Sequence, residues 1–418
     1  MTKLAMVSFS FNKGGAGIAA NKFKELLVGQ KSKFQVNMIT QDDAGYYQLF
    51  KRLISYGLNI FQFDGNTTKH SLNLFSYSPV IKKFNMDQDK LFHLHWINND
   101  TLSVFDFHKI PSGTVMTLHD EWLYCGCEHY YKVLDQTNDF IYGYPFYKRN
   151  VFGIHWNSLI WKVKYKKLSR RRDLIYTVPS SWMLDRARSS AILKGSDIRL
   201  LPNPIDSDTF TPSTKDTIKS FRNALNIEND CFIFVYGAIS GKKNKLKGMN
   251  LLNLAIKTLQ SKELNIPISK IVLIDFGGFK GDSELHGFRN ISLGHINDRD
   301  YLAKLYSSAD CVVVPSMVES FGQIAAEALS CSTPVVSFDT SGLRDIVLDN
   351  KTGFVAKSFC VNSLCSNLIK MIEISQETRV LMGQNGREHI IKNFSCSNVS
   401  EKYFSILEDA AKLKNLQN

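Results

Sequence analysis

No apolar run in the 418 residues approaches the roughly 18–20 needed to span a bilayer, so no membrane-spanning helix is expected. With 10 prolines, 25 glycines, no internal repeat and no low-complexity stretch, disordered and collagenous classes are excluded. The eight cysteines (Cys125, Cys127, Cys231, Cys311, Cys331, Cys360, Cys365 and Cys396) are scattered, which excludes a disulfide-built scaffold. Cys231, Cys311 and Cys331 lie inside apolar runs, where reduced cysteine acts as a small hydrophobe. Cys125 and Cys127 with nearby His129 lack a standard zinc spacing, so no metal is expected. Residues 1–11 lack a small-residue cleavage site and read as a first strand rather than a signal peptide.

What is present is an ordinary globular composition, 44% hydrophobic and 22% charged, long enough for two or three domains. The net charge is unusual, 51 basic against 39 acidic residues, or +12. It is lopsided. Residues 1–205 carry 27 basic and 16 acidic residues (+11), and residues 206–418 carry 24 and 23 (+1).

Strand-like and helix-like segments alternate. Strands are expected at 4–11, 34–40, 90–96, 113–119, 174–178 and 198–201, with helices at 17–27 and 181–192. Pro202-Asn203-Pro204 continues neither a helix nor a central strand and marks a turn or hinge. After a linker expected near 206–216, strands recur at 231–236, 270–276, 291–293, 311–314 and 335–338. Helices are expected at 248–259, 301–308, 322–329, 362–374, 377–392 and 398–413. Such alternation argues for parallel sheets covered by helices, built twice: an α/β chain of two doubly wound domains, 1–205 and 206–397. Ligands in these sheets sit at the carboxyl ends of the strands, so two facing sheets imply a cleft site.

Four constellations carry chemistry. Gly14-Gly15-Ala16-Gly17 follows the first strand and opens a helix, where small residues and free N–H groups suit a phosphate. Gly15, Gly17 and Ala20 also fit the dinucleotide fingerprint G-x-G-x-x-A, with Asp42 and Asp43 after the second strand, so an NAD(P)-linked oxidoreductase is the rival reading. Glu319 and Glu327, separated by seven residues including Gly322, flank the start of a helix after a buried strand. Carboxylates so placed accept hydrogen bonds from vicinal hydroxyls. Lys242, Lys243, Lys245 and Lys247 precede another helix, whose dipole they oppose unless an anion binds there. His119, in Thr117-Leu118-His119-Asp120, ends a strand, as do His93 and His95, and a histidine there can hydrogen-bond or exchange protons near neutral pH.

Leu118-His119-Asp120, Pro179-Ser180-Ser181-Trp182, Pro202-Asn203-Pro204-Ile205-Asp206, Lys247-Gly248, Glu319-Ser320-Phe321-Gly322 with Glu327, and Thr333-Pro334-Val335-Val336 occur in this order. Together they resemble the retaining GT-B glycosyltransferases of family four, especially the branch serving bacterial surface polysaccharides. The resemblance implies two Rossmann-like domains facing a central cleft, with a final helix from about 398 to 418 packing back on the first domain. It implies a UDP- or GDP-linked sugar as donor substrate and no cofactor or metal. Glu319 would contact the donor sugar and Glu327 the ribose. Ser320, Phe321, Gly322 and Gln323 would line the sugar and diphosphate, partly through backbone N–H groups. Lys247 would neutralise the diphosphate, Gly15 would admit it, and His119 would sit beside the sugar.

Three positions depart from the family. The usual arginine after the first strand of the second domain is missing, with Lys242 or Lys243 as candidate replacements. Ser332 and Ser341 stand where glycine is usual. The expected acceptor is a lipid-linked oligosaccharide in O-antigen, capsule or exopolysaccharide assembly. The basic run Lys166, Lys167, Arg170, Arg171 and Arg172 is the candidate contact to an anionic membrane. That places the protein in the cytoplasm, peripheral on the inner face of the plasma membrane. Nucleic acid is not an expected partner, because no recognition module accompanies the charge.

Overall fold

The first strand, β1 (Thr2–Val7), buries Leu4, Ala5, Met6 and Val7 completely, as a strand covered on both faces must. The structure is a computed structural model that describes residues 2–28, 33–63, 65–66, 68–87, 89–131, 138–146, 152–237 and 244–416. The chain divides into two units, Met1–Pro204 with Val399–Asn418, and Ile205–Asn398.

In the first unit, β1 leads through α1 (Gly14–Val28) to β2 (Phe34–Ile39), α2 (Tyr46–Asn59), β3 (Gln62–Phe63), α3 (Ser78–Met86) and β4 (Leu91–Leu94). Then come β5 (Val115–Thr117), α4 (Asp139–Tyr142), β6 (Phe152–Gly153), α5 (Trp156–Leu168), β7 (Ile175–Val178), α6 (Ser181–Ser189) and β8 (Asp197–Leu200). Six strands form a parallel sheet in the order β2-β1-β4-β5-β7-β8. The strand order reverses between β1 and β4, which puts the Gly-rich loop and the end of β4 at one switch point. Gly17 is required there: a Cβ would lie 2.7 Å from the Ser10 carbonyl oxygen.

In the second unit, α7 (Lys215–Ala224) precedes β9 (Phe232–Gly237), α8 (Met249–Gln260), β10 (Ile271–Phe276), β11 (Lys280–Leu285), β12 (Phe288–Leu293), α9 (Arg299–Ser308) and β13 (Cys311–Val314). They are followed by α10 (Gln323–Ser330), β14 (Val335–Phe338), α11 (Leu343–Ile346), β15 (Gly353–Ala356), α12 (Val361–Glu373), α13 (Gln376–Phe394) and α14 (Cys396–Asn415). The sheet order is β11-β12-β10-β9-β13-β14-β15, parallel except for the edge pair β11/β12. Its switch point lies between β9 and β13. From Val399 onward α14 belongs to the first unit, where Tyr403 donates to or accepts from His93 Nδ1 (2.7 Å) and Phe404 stacks on Phe34.

The structure adds elements that the apolar pattern did not announce. Part of the expected linker near 206–216 opens α7, whose short apolar stripe, Ile218 and Phe221, is only partly buried, with Phe221 packed against the core and the Tyr301 ring. Edge strand β11 (KGDSEL) is almost wholly exposed and lacks alternation. The expected strand over 113–119 shortens to Val115–Thr117, leaving His119 just past its end. Among the described residues no helix is long and apolar enough to cross a membrane.

Candidate active site

The switch point of the second sheet brings together two loops that are far apart in sequence. After β9 the chain forms a 3-10 turn, Lys245–Lys247, closed by Gly248 at φ +66°. After β13 it runs through Pro315–Gly322 into α10. The two loops touch at their backbones: Met317 N donates to the Leu246 carbonyl oxygen (2.7 Å), and a Cβ on Gly248 would sit 1.8 Å from the Pro315 carbonyl oxygen. Only glycine fits this approach. The contact sets Lys247 beside Glu319, and Lys247 Nζ donates to Glu319 Oε1 at 2.7 Å. Ser316 Oγ donates to the same oxygen at 2.8 Å, and the Glu319 N–H donates to Ser341 Oγ at 2.8 Å. Glu319 is therefore held by three neighbours.

Gly322 caps α10 at φ +106°, and a Cβ there would meet Leu343 Cδ2 at 2.8 Å. Phe321 is buried edge-to-face against Phe394, which anchors the loop from below. Gln323 opens α10, and its Nε2 donates to Glu327 Oε1 (2.6 Å), one turn further on. Ser320 lies in the same loop, its carbonyl 2.5 Å from where a Cβ on Gly342 would be. The structure thus brings Lys247, Glu319, Ser320, Phe321, Gly322, Gln323 and Glu327 into one constellation around a helix N-terminus. Such an end offers N–H groups and positive potential to an anion.

Ser332 and Ser341, the departures from glycine, both hold left-handed backbones, at φ +58° and +46°. Both positions impose a backbone that glycine would adopt more cheaply than serine does. Lys242 and Lys243 lie outside the described residues. Lys245 is exposed in the 3-10 turn.

In the first unit, His119 stands at the end of a stack of imidazoles. Its Nε2 lies 3.0 Å from His95 Nδ1, while His93 bonds Tyr403 and Thr117 Oγ1 at 2.7 Å each. Burial pushes the His119 pKa down to about 4 and that of His93 to about 3, and it pushes His95 the same way. Of the two roles open to it from its sequence context, His119 is therefore suited to hydrogen bonding as a neutral group at pH 7 rather than to proton exchange. The wall beside it continues through Trp96, whose Nε1 donates to Asp120 Oδ2 (2.8 Å). Sequence reasoning named Asp120 and His129 separately but missed that they pair, at 2.6 Å in a buried site. The Asp120 carboxyl is held below its usual range, chiefly by His129 against the opposing effect of burial.

Gly15 has open space where a Cβ would be. Asp42, the acid that a dinucleotide reading assigns to ribose, is engaged locally. It accepts from Ser10 Oγ (3.1 Å) and Thr40 Oγ1 (3.0 Å). His129 has both ring nitrogens engaged, with Asp120 and with Ser71 Oγ, so Cys125, Cys127 and His129 do not form a ligand set.

The basic run divides. Lys166, Arg170 and Arg172 are exposed, although Arg172 also donates to the Lys194 carbonyl oxygen and Ser196 Oγ. Lys167 contacts His108. Arg171 turns inward, clamping Asp173 with two N–H groups (2.6 and 2.7 Å) and reaching the Phe107 and Ile110 carbonyl oxygens. It is a structural residue, so the expected surface role fails there. Lys164, inside the same run, is fully buried over the Trp122 ring and donates to the Trp122 and Gly126 carbonyl oxygens.

Known proteins give this geometry a context. Residues 217–389 match the family model described as glycosyl transferases group 1. The D-inositol 3-phosphate glycosyltransferase of Xylanimonas cellulosilytica is 34% identical over 188 residues, covering 40% of this chain and 42% of that protein. The lipopolysaccharide 1,2-N-acetylglucosaminetransferase of Salmonella typhimurium is 25% identical over 245 residues, 55% of this chain and 61% of that protein. The chain thus spans about half the length of the curated relatives it matches. The structure of Anabaena HepE in complex with UDP-glucose aligns over 98% of this chain and 100% of that one, with a TM-score of 0.64 at 14% identity. The chain has the GT-B fold, with two Rossmann-like units, and its residues 217–389 are similar to the group 1 glycosyl transferases.

Proposed function

We propose that the protein transfers a sugar, with retention of anomeric configuration, from a UDP- or GDP-linked donor to a lipid-linked glycan acceptor in bacterial surface-polysaccharide assembly. The observation that carries this reading is Glu319, held by Lys247 and Ser316 at the β9/β13 switch point and followed by Glu327 in α10. Without donor, Lys247 is neutralised by Glu319. With donor, the diphosphate competes for the ammonium and frees the carboxylate to accept from sugar hydroxyls. Lys247 and the α10 N-terminus then stabilise the charge that develops on the departing diphosphate. The acceptor oxygen bonds the anomeric carbon from the face the diphosphate leaves. The anomeric C–O bond breaks, and the departing phosphate oxygen takes the acceptor's proton.

The bound UDP-glucose of the HepE structure and the lipopolysaccharide acceptor in the name of the Salmonella relative support the substrate classes. The experiment is incubation with a panel of nucleotide sugars, following slow hydrolysis to free nucleotide. One donor should be turned over, and Glu319→Ala should abolish turnover while thermal unfolding stays unchanged. Turnover near the native rate in that variant would remove Glu319 from the site.

A further inference from the structure

Helix α2 is built inside out. Its buried residues are Gln48 and Ser55, whose side chains bond the Asp100 carbonyl oxygen (2.8 Å) and Asp100 Oδ1 (2.9 Å). Its outer face carries Tyr46, Tyr47, Phe50, Leu53 and Tyr56, and Phe61 follows just beyond its end. These six are 93, 74, 60, 59, 69 and 55% exposed. A helix normally turns its polar stripe to water. A cluster of this size exposed on one element marks a surface that meets something apolar.

We propose that this face inserts into the interfacial region of an anionic lipid bilayer. Charge selects that occupant. Residues 44–63 contain Lys51 and Arg52 and no acidic residue, within a half of the chain carrying 27 basic and 16 acidic residues. Lys51 lies over the Tyr47 ring (4.5 Å) and Arg52 over the Phe9 ring (4.8 Å), so the cations sit among the aromatics. A second copy docked symmetrically on this face would set these cations against themselves. Anionic headgroups complement them, and tyrosine and phenylalanine suit the depth just below.

The surface continues into α5, because Trp156 Nε1 donates to the Leu58 carbonyl oxygen (2.8 Å) and the Asn157 N–H to Gln62 Oε1 (2.9 Å). Tyr165, Lys162 and Lys166 are exposed on that helix. The assignment deepens the lipid-linked acceptor reading and rests on it for its place in the reaction. Lipid binding itself is read without donor or acceptor, so the two fail separately.

The test is co-sedimentation of the full chain with vesicles of phosphatidylglycerol and phosphatidylcholine, against phosphatidylcholine alone. The native protein should bind the mixed vesicles and bind the neutral ones at least ~10-fold more weakly. The triple variant Phe50→Ser, Leu53→Ser, Tyr56→Ser should bind the mixed vesicles roughly 30-fold more weakly or worse, with unchanged circular dichroism and thermal midpoint. Because these side chains are exposed, folding should survive. If the triple variant unfolds, the single change Phe50→Ser carries the same test with a smaller loss. Equal binding by native and variant protein overturns the assignment. So does a lipid-free native dimer that the variant converts to monomer, which would give the face to a second copy.

Discussion

Acidification from pH 7 to 5 should weaken the first unit steeply, because the His93–His95–His119 stack is neutral when folded. Burial lowers the His93 pKa to about 3 and the His119 pKa to about 4, and it lowers His95 too. An unfolded imidazole titrates near ~6.5. Below that pH the unfolded chain binds more protons than the folded one. Stability is therefore complete above ~6.5 and is lost progressively as pH falls toward the folded values. Each histidine costs ~1.4 kcal/mol per pH unit in that window, or ~2 kcal/mol at pH 5. The folded stack stays neutral there, so the contributions add: ~4 kcal/mol for His93 and His95, with a smaller share from partly exposed His119. That is a large part of the ~5–15 kcal/mol holding a typical domain. Buried Asp100 and Glu128, whose carboxyls burial raises, take up protons more readily when folded and oppose part of this loss. All five tryptophans, Trp96, Trp122, Trp156, Trp161 and Trp182, lie in the first unit. Urea unfolding followed by tryptophan fluorescence therefore reports on that unit. The midpoint should fall with a slope of two protons or more, and His119→Asn should reduce the slope. A slope below one proton would refute the neutral stack.

Other consequences are more local. Gly248→Ala places a methyl 1.8 Å from the Pro315 carbonyl oxygen at φ +66°, so it should cost ~2–4 kcal/mol in a calorimetric scan and weaken nucleotide binding by shifting the turn that positions Lys247. Ser332→Val puts a β-branched residue at φ +58° and should destabilise the second unit by ~1–2 kcal/mol, measured by urea-dependent circular dichroism. Arg171→Ala breaks the clamp on Asp173 and two carbonyl contacts, so it should cost ~2 kcal/mol in tryptophan-detected unfolding and leave vesicle binding unchanged.

The donor-type constellation was legible because its parts are local to strand ends. Glu319 and Glu327 are fixed relative to each other by one loop and one turn of helix, so their spacing in sequence is their geometry. The Lys247 contact spans 72 positions. It was still foreseeable in kind, because a doubly wound order brings the loops after β9 and β13 to one switch point. The resemblance supplied the roles, whereas spacing alone left a dinucleotide fold open. Asp42, bonded to Ser10 and Thr40, is what the sequence could not reveal about that rival.

What was not legible shares one physical cause: a periodic pattern reports spacing and does not report which side is inside. In the basic run, Lys164 and Lys166 look alike, yet two residues along a helix is about 200° of rotation. One is fully buried and donates to the Trp122 and Gly126 carbonyl oxygens, and the other is in water. Charge counting therefore overstated the run as a membrane contact. In α2 the same ambiguity acts in reverse. Its apolar stripe has the period of a core-facing helix, but the buried stripe is Gln48 and Ser55, fixed by bonds to Asp100. Three polar groups satisfied together inside the fold decide the helix's rotation, and the aromatic face is exposed as the consequence. The +11 half of the chain thus owes its candidate lipid contact less to its number of cations than to where two polar side chains of α2 find their partner.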